Sequence, residues 1–365
     1  WDDYFETFTV GGNARMYDPE SNGTIFTDSI GNDVTNFEFG FFAEATRKIN
    51  DKVDATVSGR IDKNENFGVV SSQRLSLVKE IRENQFIRGS IQTGLRIPNI
   101  REQYFNQNLG DIRLVGGLTE VVDQYDLQGN AFFANALEDF NTAVQNEANS
   151  DFRFGSGPLD VSALRIENLD ILRRGIIGED KFRGIDPERI TSLEFGYRGL
   201  IENKRLFEVV YYINHYNNFI GTTRVVKPRT SPSTDLQLAL NQANSPGSSD
   251  LIFVSDNAEK SIITQGLELV YDVTSDEGTN FGINMTFANI ISDNDDPLTP
   301  GFNTPPFKLN MTLGNDKIGK NFGAEISWRY RSEFEWESSF VDGTVPSFNT
   351  FDFQELVLAP YVNSQ

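Results

Sequence analysis

Apolar and polar residues alternate along much of the chain with period two, the mark of a β-strand whose two faces meet different surroundings. From Phe37 the odd positions run Phe37, Phe39, Phe41, Ala43 and Ala45, with Glu38, Glu44 and Thr46 between them. Val53, Ala55, Val57, Gly59 and Ile61 alternate with Asp54, Thr56, Ser58, Arg60 and Asp62. The rhythm returns in Phe207-Val209-Tyr211-Ile213, in Leu267-Leu269-Tyr271-Val273 and in Phe322-Ala324-Ile326-Trp328-Tyr330. About twelve such segments occur, each of roughly 10–14 residues, where globular strands usually have about 5–6. That length suits tilted strands that cross a bilayer and extend beyond it.

The connections alternate as well. Short ones fall at 49–51, 82–84, 202–204, 275–278 and 315–320, and longer ones at 17–33, 63–69, 97–186, 217–259, 293–303 and 333–346. Tight turns at one end and long loops at the other are the asymmetry of outer-membrane barrels. The pattern therefore predicts an all-β fold, an antiparallel transmembrane β-barrel segment of about twelve strands with long extracellular loops, some of them helical. One domain, 1–365, contains the large loop 97–186. Within that loop Phe133, Ala136, Leu137, Phe140 and Val144 follow helical spacing, and Leu164 to Ile177 has room for a second short helix. The stretch from Thr230 to Asp250, rich in Ser, Pro and Asn, reads as an exposed, mobile excursion.

Composition narrows the class. Hydrophobic residues make up 38%, and no apolar run approaches the roughly 18 residues of a spanning helix. A barrel needs none, because only alternate residues face lipid. There is no Cys, so neither a disulfide framework nor a thiolate metal site can form. A net charge of -21 argues against a nucleic-acid partner, which needs a basic face. The same acidity suits a cell surface where divalent cations bridge anionic groups. The chain starts at Trp1 and reads as a mature or partial chain.

Several phrases carry a family resemblance. Gly94-Leu95-Arg96-Ile97-Pro98, followed by Glu102 and a long loop, resembles a signature strand of TonB-dependent receptors. Pro187-Glu188, then Glu194, Gly196, Arg198 and Gly199, is similar to the next signature. Val209 to Ile220, Gly266 to Leu269 and Pro306 to Asn310 resemble later strands in the same order, and Gly11 to Phe26 is similar to receptors of the Bacteroidota type. The resemblance implies a wall of about 22 strands plugged by an N-terminal domain. By comparison about eight strands would precede Trp1 and a closing pair would follow Gln365. Neither a plug nor a TonB-contacting box is recognisable in the chain.

The implied function is active import across the outer membrane of a Gram-negative bacterium, with no enzymatic step. The implied cargo is a scarce nutrient: a siderophore, vitamin, oligosaccharide or peptide. The implied partners are the TonB system, acting through a plug domain outside this chain, outer-membrane lipids and lipopolysaccharide, and a surface lipoprotein over loop 97–186. Two other classes fit the pattern: a docking scaffold for a surface or secretion assembly, and a passive porin.

Candidate ligand-binding residues come from strand parity and loop aromatics. Arg60, Arg88, Gln92 and Glu194 fall on the polar face, while Tyr104, Phe105 and Tyr125 enter the largest loop and Trp336 stands at a strand end. Catalytic residues are not expected. His215, the single His, shares the parity of Tyr211 and Ile213 and reads as a girdle residue. Gly155-Ser156-Gly157 lacks the strand-to-helix setting of a phosphate loop. No cofactor is expected; the one metal candidate is a surface Ca²⁺ at Ser292 to Asp296, which lacks the Gly and Glu of a helix-loop-helix calcium site.

Overall fold

A computed structural model describes residues 5–28, 33–148, 164–179, 181–230, 235–245, 247–292, 298–299, 302–319, 322–338 and 342–357. Its largest unit is a twelve-stranded antiparallel sheet in sequential order. The strands are β1 (Thr7–Tyr17), β2 (Asn36–Asn50), β3 (Val53–Asn64), β4 (Val69–Arg82), β5 (Gln85–Arg96) and β6 (Glu188–Ile201). They continue as β7 (Arg205–Asn217), β8 (Ile262–Thr274), β9 (Thr279–Ile290), β10 (Phe307–Gly319), β11 (Phe322–Arg331) and β12 (Phe348–Val357). Their number and length agree with the period-two reading.

Register makes the faces continuous. Leu77, Gly89, Phe195, Tyr211, Leu267 and Phe287 form one row across β4 to β9. The next row, on the opposite face, is Ser76, Ser90, Glu194, Tyr212, Gly266 and Ala288. Phe41, Phe195 and Phe353 are 66%, 58% and 70% exposed. So much exposed aromatic surface along a whole sheet face is a lipid contact rather than a soluble exterior. His215 is partly buried on this apolar face and its ring lies 3.3 Å from Asn217. Among the described residues no helix is long and apolar enough to cross a membrane.

Most of the buried apolar core lies outside the wall. Two long connections, 97–187 and 218–261, fold together around a second sheet. Its strands are ordered Leu298–Thr299, Ile220–Pro228, Ser249–Asn257, Ile112–Val115 and Asn106–Asn108, with Phe132–Phe133 also pairing to Ile220–Pro228. The pairing of 112–115 with 249–257 is parallel and joins the two connections directly. Val115, Val121, Ile177, Val225, Ile252 and Val254 form one apolar cluster beneath it. A second cluster packs the helix Ala134–Ala148, through Leu137, Phe140 and Val144, against Leu172 of the helix Ile166–Arg174 and Leu240 of the helix Leu236–Ala243. Both helices expected in loop 97–186 therefore form.

Two expectations are corrected. The stretch 230–250 is not a mobile excursion as a whole: its helix Leu236–Ala243 is capped by Asp235 and carries fully buried Ala239 and Leu240. The connection at 63–69 is not long, since β3 runs to Asn64 and β4 resumes at Val69. Phe67 explains the tight turn, because its ring is buried in the first apolar cluster. Ser292 to Asp296 lies outside the described residues from 293 onward, and Gly155 to Gly157 lies outside them entirely.

Candidate functional site

The loop signature builds the junction between wall and cap. After β5, Pro98 ends the strand and Asn99 caps the one-turn helix Ile100–Tyr104. The Asn99 side chain accepts from the amides of Arg101 (2.9 Å) and Glu102 (3.1 Å), and Glu102 accepts from the Asn99 amide (2.8 Å), a reciprocal capping box. Arg96 pairs with Glu102 at 2.7 Å and with Glu188 at 3.2 Å, and donates to the Ile220 carbonyl at 3.2 Å. Glu188 in turn accepts from the Ile220 amide at 3.0 Å. The charged residues of the two signature phrases thus close on each other and on the second long loop.

Beside this junction lies a polar cavity of about 380 Å³, lined by Asn13, Arg15, Glu38, Arg60, Asn99 and Gln103 among others. Its charges are paired. Arg60 grips Asp62 (2.7 Å from Nε) and donates to Asn13 at 2.6 Å, while Arg15 meets Glu38 at 3.4 Å. A buried amide network closes one end. The Gln103 carbonyl oxygen accepts from Asn36 (3.1 Å) and Asn66 (2.7 Å), its amide donates to the Pro98 carbonyl (2.6 Å), and Asn64 donates to Asn36 (2.6 Å). Such satisfied networks hold backbone segments in one arrangement.

The candidate residues fall into separate places. Arg60, Arg88, Gln92 and Glu194 all lie on the polar face, with Arg88 paired to Glu208 at 3.4 Å. Gln92 lies in register with Ser192, Asn214 and Thr264. Tyr104 sits beside the polar cavity and accepts from Asn66 at 2.6 Å. Phe105 is buried: its ring packs against Phe26 at 6.1 Å between centroids, and the Arg101 guanidinium covers it at 4.8 Å. Tyr125 is half-buried and donates to Asn106; burial pushes its hydroxyl pKa up. Trp336, 44% exposed, stands apart on the hairpin formed by Phe334–Trp336 and Gly343–Val345.

A further cavity, of about 310 Å³, lies at the loop end of β7, β8 and β9 against residues 302–306. Tyr212, Asn214, Tyr216, Thr264 and Phe302 line it. None was singled out in the sequence, although Tyr212, Asn214 and Tyr216 have the parity of the polar face and sit inside a recognised phrase. Among the described residues no group of three or more carboxylate or imidazole side chains is placed to hold a metal ion.

Comparison with known proteins agrees with the two-faced wall and its cap. No curated protein matches the chain in sequence. It resembles solved structures at low identity: the siderophore receptor PirA from Acinetobacter baumannii (13% identity, 95% of this chain and 45% of that one, TM-score 0.54). A mutant ferric enterobactin receptor from Pseudomonas aeruginosa aligns over 98% of this chain and 44% of its own, at 14% identity and TM-score 0.58. The FrpB iron transporter from Neisseria meningitidis gives 12% identity, 95% and 45% coverage, and TM-score 0.54. The chain thus spans less than half the length of these receptors. At such identities the likeness establishes the fold. The family model described as TonB dependent receptor-like, beta-barrel matches residues 1–359. The chain belongs to the TonB-dependent receptor β-barrel family of the Gram-negative outer membrane.

Proposed function

We propose that the receptor containing this chain actively imports a nutrient across the outer membrane with energy supplied through TonB. Family membership supports the reading, and the observation that carries it is the pairing of a lipid-type apolar face with a polar face capped at one end by folded loops. A passive porin wall needs no cap with cores of its own. The partner that transmits energy is a plug domain engaging TonB, and the wall supplies enclosure and binding surface.

Substrate-limited growth tests the proposal. Cells expressing the full-length receptor accumulate a labelled nutrient when TonB is present, and lose that uptake when TonB is depleted. Uptake that persists unchanged without TonB would make the protein a passive channel and overturn the reading. A scaffold role predicts instead that a partner co-purifies over residues 97–187 and that no TonB-dependent uptake occurs.

A further inference from the structure

We infer that the cavity at the loop end of β7, β8 and β9 is a subsite for a neutral sugar ring, which deepens and rests on the import reading. Its volume of about 310 Å³ is at the small end of ligand pockets, about 300–1,000 Å³. Two features define its chemistry. The first is a set of aromatic surfaces. Gly266 lies directly opposite Tyr212, and a Cβ at Gly266 would fall 2.3 Å from the Tyr212 ring, so the glycine lets the ring lie across the sheet. Tyr216 meets Phe302 at 6.0 Å and Phe219 at 5.6 Å, and Phe219 meets Phe302 at 4.9 Å. Ala258, Ile262 and Leu298 back this cluster, which fixes the rings in place.

The second feature is polar but uncharged. Asn214 donates to Thr264 at 3.3 Å, and Thr304 completes the edge, with no ionisable carboxylate, ammonium or guanidinium among the described lining residues. A pyranose ring has matching parts: a face of C–H groups that lies on aromatic rings, and an edge of hydroxyls that pairs with amides and alcohols. An anionic chelate fits poorly, because its charge would be left unpaired in a half-buried cavity. The larger polar cavity adds no free cation, since Arg15, Arg60 and Arg96 each face a carboxylate.

The test is calorimetric titration of the purified full-length receptor with maltohexaose, cellohexaose, xylohexaose and mannohexaose, beside an anionic ferric tricatecholate. The expected result is saturable binding of at least one sugar. Tyr216→Ala weakens it roughly tenfold, and Gly266→Val, which displaces the Tyr212 ring, does so similarly. Tyr216→Phe, which keeps the stacking surface, retains affinity within about threefold. Heat-modifiable gel migration verifies that each variant has folded. Failure of all four sugars, or binding that ignores both Tyr216→Ala and Gly266→Val, overturns the subsite. Sugar failure with TonB-dependent uptake of the tricatecholate removes the subsite and leaves import standing. Sugar binding without any TonB-dependent uptake does the reverse.

Discussion

From the end of β5, Arg96 ties together three segments: the capped helix at Ile100–Tyr104, the start of β6 at Glu188 and the start of the second long loop at Ile220. Glu188 is the more enclosed partner, with its side chain 10% exposed against 41% for Arg96. Arg96→Met therefore leaves a buried carboxylate with only the Ile220 amide as partner. The expected cost is about 2 kcal/mol to the local structure, the range of a hydrogen bond to a charged group. It should register as faster amide exchange around 218–222, while β6 and β7 stay protected. Arg96 and Glu188 were visible in the sequence as parts of signature phrases. Their pairing was not, because 92 residues separate them and no local rule links the two.

Lys181 makes a pH prediction. Its ammonium pairs with Asp256 at 2.9 Å and Glu259 at 3.0 Å, and lies near the rings of Phe133 and Phe182. Burial alone lowers its pKa, but the two carboxylates outweigh that and hold it above the ordinary lysine value. A pKa raised in the folded state stabilises fully below the unfolded value of about 10.4, and the contribution is lost as pH rises through the folded pKa. The cap should therefore melt at falling temperatures above about pH 10.4, and Lys181→Gln should flatten that alkaline limb, leaving the share that Tyr125, raised in the same direction by burial, contributes.

At the level of elements, the strands were legible because each carries its own two-faced pattern. The polar face could be read by counting positions, which is why Arg60, Arg88, Gln92 and Glu194 share it. The cap was legible only in fragments. Its helices Ala134–Ala148 and Ile166–Arg174 show helical spacing, but the core they fill is completed by Ala239, Leu240 and Val226 far along the chain. The turn at 65–68 was misjudged for the same reason, since what tightens it is Phe67 packing into a core absent from its own neighbourhood.

Two substitutions separate wall from cap. Phe140→Ala empties a fully buried position and should cost the cap about 3–5 kcal/mol. Proteolysis should then cut within 97–187 while the wall keeps its heat-modifiable migration. Phe195→Arg puts a charge on the lipid face and should cost the wall about 2–4 kcal/mol if it lies near mid-bilayer. Its strand neighbour gives the control, because Glu194→Gln changes only the polar face and should leave assembly unaltered. Urea unfolding in lipid vesicles measures both.

Across the whole molecule, apolar surface is divided between two solvents. The wall sets its large side chains toward lipid, and the cap buries its own against itself. Family membership accounts for the first arrangement, and the second is built by the two long connections and the sheet they share. Because residues 112–115 pair in parallel with 249–257, the two long loops share one sheet. The cap is therefore heritable only as a pair. Recombination that moved 97–187 into another barrel without 218–261 would deliver half a sheet and an uncovered core. A transplant of both together would bring its own folding instructions, and new binding specificity could pass between receptors without any change to the strands beneath.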